Sequence, residues 1–192
     1  MEHYHHLKEK GLSVNKTNRL IWMDLEMTGL DPRKDTILEV AIIITNNDLE
    51  IIEEGPDIIM HQSEERLLCM DTFVQTMHKE TNLWNAVIVS NVSLQEAQQQ
   101  ILTFLKKHCV QGTAPLCGNS VWMDRFFLLH HMPEVYAFLH YRTIDVSTIK
   151  ELVVRWNTSL EPFKKKKVHR ALSDIHESIA ELRYYRQKYF NK

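Results

Sequence analysis

The stretch Leu20-Ile21-Trp22-Met23-Asp24-Leu25-Glu26 decides the reading of this 192-residue chain. Leu20, Trp22, Asp24 and Glu26 alternate with Ile21, Met23 and Leu25, which is the two-residue period of a β-strand. Both acids therefore leave one face of a sheet from an otherwise apolar strand. Carboxylates so placed repel each other and resist ionisation unless a cation shares them, and hard oxygen ligands on a rigid strand suit Mg²⁺ or Mn²⁺. A strand end where both acids simply reach water accounts for the pair equally well, so the pair alone leaves the choice open.

Outward from this strand, Thr28-Gly29-Leu30-Asp31-Pro32 is a turn signal, and Ile37 to Thr45 reads as a second strand. Asn46-Asn47-Asp48 supplies hairpin chemistry, and Leu49 to Met60 reads as a third strand with a break expected at Gly55-Pro56. Leu94, Ala97, Ile101, Phe104, Leu105 and His108 recur at helical spacing behind Ser93, with Glu96 completing a capping box. Beyond it, Pro115 to Gly118 reads as a short strand, Val121 to His131 as a helix stopped near Pro133, and Tyr141 to Val146 as another strand. Ala171, Leu172, Ile175, Ile179, Leu182, Tyr185 and Tyr189 form the apolar stripe of a long final helix. A meander followed by alternating strand and helix predicts an α/β fold, a mixed sheet of about five strands flanked by helices.

Length favours one domain, expected over 18–192, with residues 1–17 as a disordered polar tail that carries His3, His5 and His6. A formal charge of -2 excludes a chain that holds long polyanions by bulk charge, so a nucleic-acid substrate should be short or gripped locally. Cys69, Cys109 and Cys117 form no C-x-x-C pair, which points to a reducing compartment and not to a zinc site. No apolar run reaches the roughly 20 residues of a membrane span. The expected location is the cytoplasm. A mitochondrial address is the alternative, although the first residues lack the arginines of a presequence.

Asp124 is expected in the first turn of its helix, and Asp174 one turn into the last; either could merely compensate a helix dipole. His169 and Asp174 would lie about 140° apart on one helix, so the histidine must sit at or before the helix start. The lysine run from Lys164 to Lys167 reads as a solvated loop. The joint pattern is more informative than its members. An acid pair on the first strand, one acid in the middle and His-x4-Asp at the last helix suffice for two-metal phosphodiester hydrolysis, with His169 as the base, since imidazole is the side chain suited to take a proton near neutral pH.

Four segments then become recognisable together: Asp24-Leu25-Glu26-Met27-Thr28-Gly29-Leu30-Asp31, Gly118 to Asp124, His140 to Thr148, and His169-Arg170-Ala171-Leu172-Ser173-Asp174-Ile175. From about Asn18 to the C-terminus the chain resembles the oligoribonuclease family, DEDDh 3′-to-5′ exoribonucleases of ribonuclease-H-like fold. The resemblance implies hydrolysis of short RNA oligonucleotides, especially dinucleotides, to 5′-mononucleotides by a homodimer with two Mg²⁺ or Mn²⁺ ions per site. It implies Asp24, Glu26, Asp124 and Asp174 as metal ligands and His169 as base. Leu30 would wedge between bases, with Phe73 and His78 also in the substrate-binding set. Ser120, Arg142 and Ser147 would cap a terminal phosphate together with Tyr141 reaching in from the partner subunit. Such a clamp rewards only substrates whose end falls there.

Three departures stand out. Phe73 occupies the usual tryptophan of Met70-Asp71-Thr72-Phe73, Thr81-Asn82-Leu83 replaces Ser-Gly-Leu, and Ser173-Asp174 replaces paired acids. The competing readings are a broader exonuclease on longer RNA or DNA ends, a catalytically silent nucleic-acid-binding module, and a metal-dependent phosphatase.

Overall fold

The computed structural model describes residues 16, 18–156, 163–164 and 169–190. The expected tail, Lys16 apart, and Lys165 to Lys167 lie outside the described residues. β1 (Leu20–Met27), β2 (Ile37–Thr45) and β3 (Ile51–Ile59) form an antiparallel meander, and β4 (Leu116–Gly118) and β5 (Thr143–Asp145) extend it in parallel from β1. The order β3-β2-β1-β4-β5 makes a five-stranded mixed sheet. This is the expected ribonuclease-H-like architecture.

The alternation of β1 sorts its side chains between two cores. Ile21, Met23 and Leu25 pack with α4 (Leu94–His108), α5 (Trp122–His131) and α6 (Pro133–Phe138). Leu20 and Trp22 face α7 (Val146–Trp156) and α8 (Ala171–Tyr185), joined by Ala41, Ile43, Ile175, Ile179 and Tyr185. Asp24 and Glu26 continue the row of Leu20 and Trp22, so they emerge where α8 begins. β2 is buried along its whole length because both its faces are covered.

The expected break in the third strand is instead an irregularity. Ala41 pairs with Asp57 and Ile43 with Glu54, so Gly55 and Pro56 bulge while the strand continues. A proline costs no ladder bond there because β3 is an edge strand. β5 is shorter than expected and leaves Tyr141 outside it. Pro133 does end α5, but it also opens α6 from its first turn, where its missing N–H costs nothing.

The sequence reading assigned no element between Met60 and Val92. This stretch holds α1 (Glu64–Leu68), α2 (Thr72–Glu80) and α3 (Leu83–Val89), which cover Leu38 with a small core of their own. Asn82 precedes α3 at φ 59°, a left-handed conformation open chiefly to glycine and asparagine. Asparagine is therefore compatible with the backbone at the position where the resemblance expects glycine. No helix among the described residues is long and apolar enough to cross a membrane.

Candidate active site

The C-terminal end of β1 meets the start of α8, with β4 and β5 running parallel beside it, and the acids gather there, as ligands do at the carboxyl ends of parallel strands. One oxygen each from Asp24, Glu26 and Asp174 falls within 4.8 Å of the others. Asp124 stands beside this trio in the first turn of α5, its Oδ1 accepting the Leu25 amide at 3.0 Å. That bond ties α5 to the peptide between the two strand acids.

The electrostatics follow from the crowding. Burial, then the charges of Asp124, Glu26 and Asp174, hold the Asp24 carboxyl well above its ordinary range. Glu26 is pushed up to about 8 by burial and by Asp174, Glu39 and Asp124, against the opposing pull of Arg170. Burial raises Asp124 to about 7, although amide hydrogen bonds favour its charged form. Oxygen-only donors this close, reluctant to ionise without a partner, fit a hard divalent cation.

His169 lies one residue ahead of Arg170, the N-cap of α8, as the spacing demanded. It is exposed and holds φ 53°, a costly conformation for a residue with a Cβ. Burial above all holds the neighbouring His78 imidazole below its ordinary range. His78 itself is fully buried, Nε2 3.0 Å from the Met27 carbonyl oxygen and Nδ1 4.0 Å from Glu26 Oε2. In this structure it underlies the acids and has no surface open to a substrate.

Leu30 is 70% exposed at the tip of a turn that Asp35 fastens. Asp35 accepts the Thr28 hydroxyl and the Asp31 amide, each at 3.0 Å, and a Cβ on Gly29 would meet its carboxylate at 2.5 Å. Phe73 is exposed in the first turn of α2, its amide donating to the capping Asp71. Ser120 and Ser147 meet with hydroxyl oxygens 3.3 Å apart. Arg142 and Tyr141 are exposed, the guanidinium carbon 5.2 Å from the ring centroid.

Two residues without an assigned role belong to this region. Glu39 pairs directly across from Glu26 and is fully buried, receiving the Arg170 guanidinium at 2.6 Å and the Ala171 amide at 3.1 Å. Glu181 on α8 is likewise fully buried. Each could have been flagged as an acid inside an apolar pattern: Glu39 within Ile37 to Ile44, Glu181 beside Leu182 and Tyr185.

Compared with known proteins, the chain is 50% identical over 180 residues to an oligoribonuclease of Shewanella loihica, covering 93% of this chain and 99% of that one. An oligoribonuclease of Vibrio vulnificus is 51% identical over 172 residues, 89% and 95% of the two chains. The chain belongs to the oligoribonuclease family. Consistently, the sequence model of the Exonuclease family matches residues 21–182. Oligoribonuclease membership makes the protein a nuclease hydrolase, a 3′-to-5′ exoribonuclease acting on short RNAs, within a divalent-metal-dependent exonuclease family.

Among solved structures, Escherichia coli exonuclease I with zinc and single-stranded DNA superposes with a TM-score of 0.71 at 11% identity, over 92% of this chain and 42% of that one. Exonuclease I of Methylocaldum szegediense gives 0.68 at 16% identity, over 90% and 41%. The oligoribonuclease chain thus spans about two fifths of those proteins, and at such identity the likeness is one of fold.

Proposed function

We propose that this oligoribonuclease binds two Mg²⁺ or Mn²⁺ ions through Asp24, Glu26, Asp124 and Asp174 and cuts RNA of a few residues, dinucleotides above all, with His169 as general base. The observation that carries the reading is the convergence of Asp24, Glu26 and Asp174, from two separate elements, with Asp124 fastened to the peptide between the first two. Four acids crowded at one strand end repel one another, a cost that cations shared among them remove. Divalent ions held by these four carboxylates would supply the positive charge that polarises a scissile phosphate.

The chain's own groups do the rest. A ring nitrogen of exposed His169 takes the proton of the attacking water, the task for which an imidazole is suited near neutrality. Leu30 and Phe73, both projecting apolar surface into solvent, grip the bases. His78 supports Glu26 from below. Ser120, Ser147 and Arg142 receive the terminal phosphate, which selects substrates by length.

The same reading includes a homodimer. Trp122, Phe126 and Leu129 leave α5 at helical spacing and are 61%, 41% and 44% exposed, an apolar stripe that begins beside Ser120. A second copy seated there would bring its Tyr141 toward the neighbouring cap. A cytoplasmic setting suits the free thiols, of which Cys109 is raised to about 11 by burial and so is unreactive.

Labelled RNAs of two, five and twenty nucleotides, incubated with Mn²⁺ beside EDTA and Asp174→Ala controls, test the reading. Metal-dependent conversion of the dinucleotide, with the twenty-mer nearly untouched, is expected. Equal or faster trimming of the twenty-mer makes the protein a general exonuclease, and no cleavage at all leaves a binding module.

A further inference from the structure

Beneath Ser120 and Ser147 runs a chain of polar side chains that reaches the final helix. Ser147 Oγ accepts the Ser120 amide at 3.0 Å and the Asn119 side-chain amide at 3.3 Å. The same Asn119 Nδ2 donates to Glu181 Oε2 at 3.0 Å. Glu181 Oε1 accepts the Tyr185 hydroxyl at 3.0 Å, with Lys150 Nζ 3.9 Å away. Burial and the Glu181 charge push the Tyr185 phenol up, so it remains a donor. Asp145 Oδ1 completes the loop, accepting the amides of Ser120 and Ser147 at 3.0 and 2.9 Å.

The direction of each bond is dictated from the buried end. A carboxylate only accepts, so Glu181 forces Asn119 to present its NH₂ edge. That NH₂ and the Ser120 amide occupy both lone pairs of Ser147 Oγ, so the hydroxyl can only donate: its hydrogen reaches Ser120 Oγ, 3.3 Å away, and can turn from that neutral acceptor to an anion bound between the two serines. A hydroxyl committed to donating suits an anion and repels a competing donor. Ser120, held at φ 51°, adopts its left-handed turn under the same constraints.

We propose that Glu181, acting through Asn119, is a positioning residue that fixes Ser147 as a donor to the substrate's terminal phosphate. This rests on the phosphate cap of the preceding section and extends it to a buried acid more than one residue removed from substrate. Neither Asn119 nor Glu181 touches the reacting atoms. Their effect is confined to how strongly a 5′-phosphate is rewarded.

The test compares the full-length enzyme on a diribonucleotide with and without a 5′-phosphate, in wild type, Glu181→Gln, Asn119→Ala and Ser147→Ala. The Glu181→Gln side chain keeps the shape but can donate, which lets Asn119 turn over and compete with the phosphate. The expected result is a fall of about tenfold in kcat/KM for the phosphorylated substrate, carried by KM, with the unphosphorylated one changed less than about twofold. In a Ser147→Ala background the Glu181→Gln effect should vanish, since both act on one contact. Asn119→Ala gives the same selective loss and serves if the buried substitution unfolds the protein. Equal losses on both substrates, or a full effect without Ser147, overturn the proposal. A wild type indifferent to the 5′-phosphate would overturn the cap itself, and this proposal with it.

Discussion

Arg170 closes on Glu39 with Nε 2.9 Å and Nη2 2.6 Å from Oε1, joining the N-cap of the last helix to the strand opposite Glu26. The carboxylate is fully buried and also holds the Ala171 amide, so its charge is met from the start of α8. His169 and Asp174 flank this contact in sequence. The latch therefore determines where both stand relative to the strand acids.

Arg170→Ala should destabilise the protein by about 3 kcal/mol, because it strands a buried charge. Replacing both partners, Glu39→Leu with Arg170→Met, should recover most of that stability but not the activity, since an apolar pair packs without setting the angle of α8. Urea denaturation and dinucleotide turnover measure the two quantities. A double variant as active as wild type would show that the latch serves stability alone.

Glu26 at about 8, Asp124 at about 7 and raised Asp24 all bind protons more tightly in the folded chain than in the unfolded one. Their contribution is therefore intact at low pH and lost as pH rises through those values, the unfolded state having released its protons first. In EDTA, Tm should drop by about 5 °C or more between pH 5 and pH 8, and Mn²⁺ should abolish the drop. A metal-free Tm that stays level or climbs over that interval contradicts the crowding described here.

Much of this arrangement was legible in the sequence. Alternation in Leu20 to Glu26 gave the strand and put both acids on one face, and the Ser93 and Glu96 capping box marked α4. The angular argument placed His169 ahead of α8. The helices α1 to α3 were not legible, because elements of five, nine and seven residues bury too few side chains to establish a period. α7 was missed beside β5, where Asp145 ends the strand and Val146 begins the helix with no intervening turn residue. The Glu39 latch and the Glu181 chain depend on cross-strand register and helix docking, which no local pattern encodes.

Asp124→Asn keeps an oxygen to accept the Leu25 amide while removing one of the crowded charges. Without metal this variant should be at least as stable as wild type at pH 8. Its turnover should fall on the order of a thousandfold or more, since the oxygen that remains is a neutral and weaker ligand. Isothermal titration with Mn²⁺ and thermal melts separate the two effects, and a variant that binds metal and turns over normally would remove Asp124 from the ligand set.

Leu30 and Phe73 are 70% and 75% exposed, so truncating either should change stability by less than about 0.5 kcal/mol. If they grip bases, Leu30→Ala and Phe73→Ala should each raise KM for a dinucleotide about tenfold, the scale of one base stacked on a side chain. Phe73→Trp should lower KM, because the larger indole offers more stacking area on the same helix turn. Gly29→Ala reaches the same contact indirectly: the added methyl must displace Asp35, loosen the turn and cost binding with Leu30 itself intact. If KM is unmoved in the two alanine variants while kcat falls, these side chains act on the reacting geometry and not on base recognition.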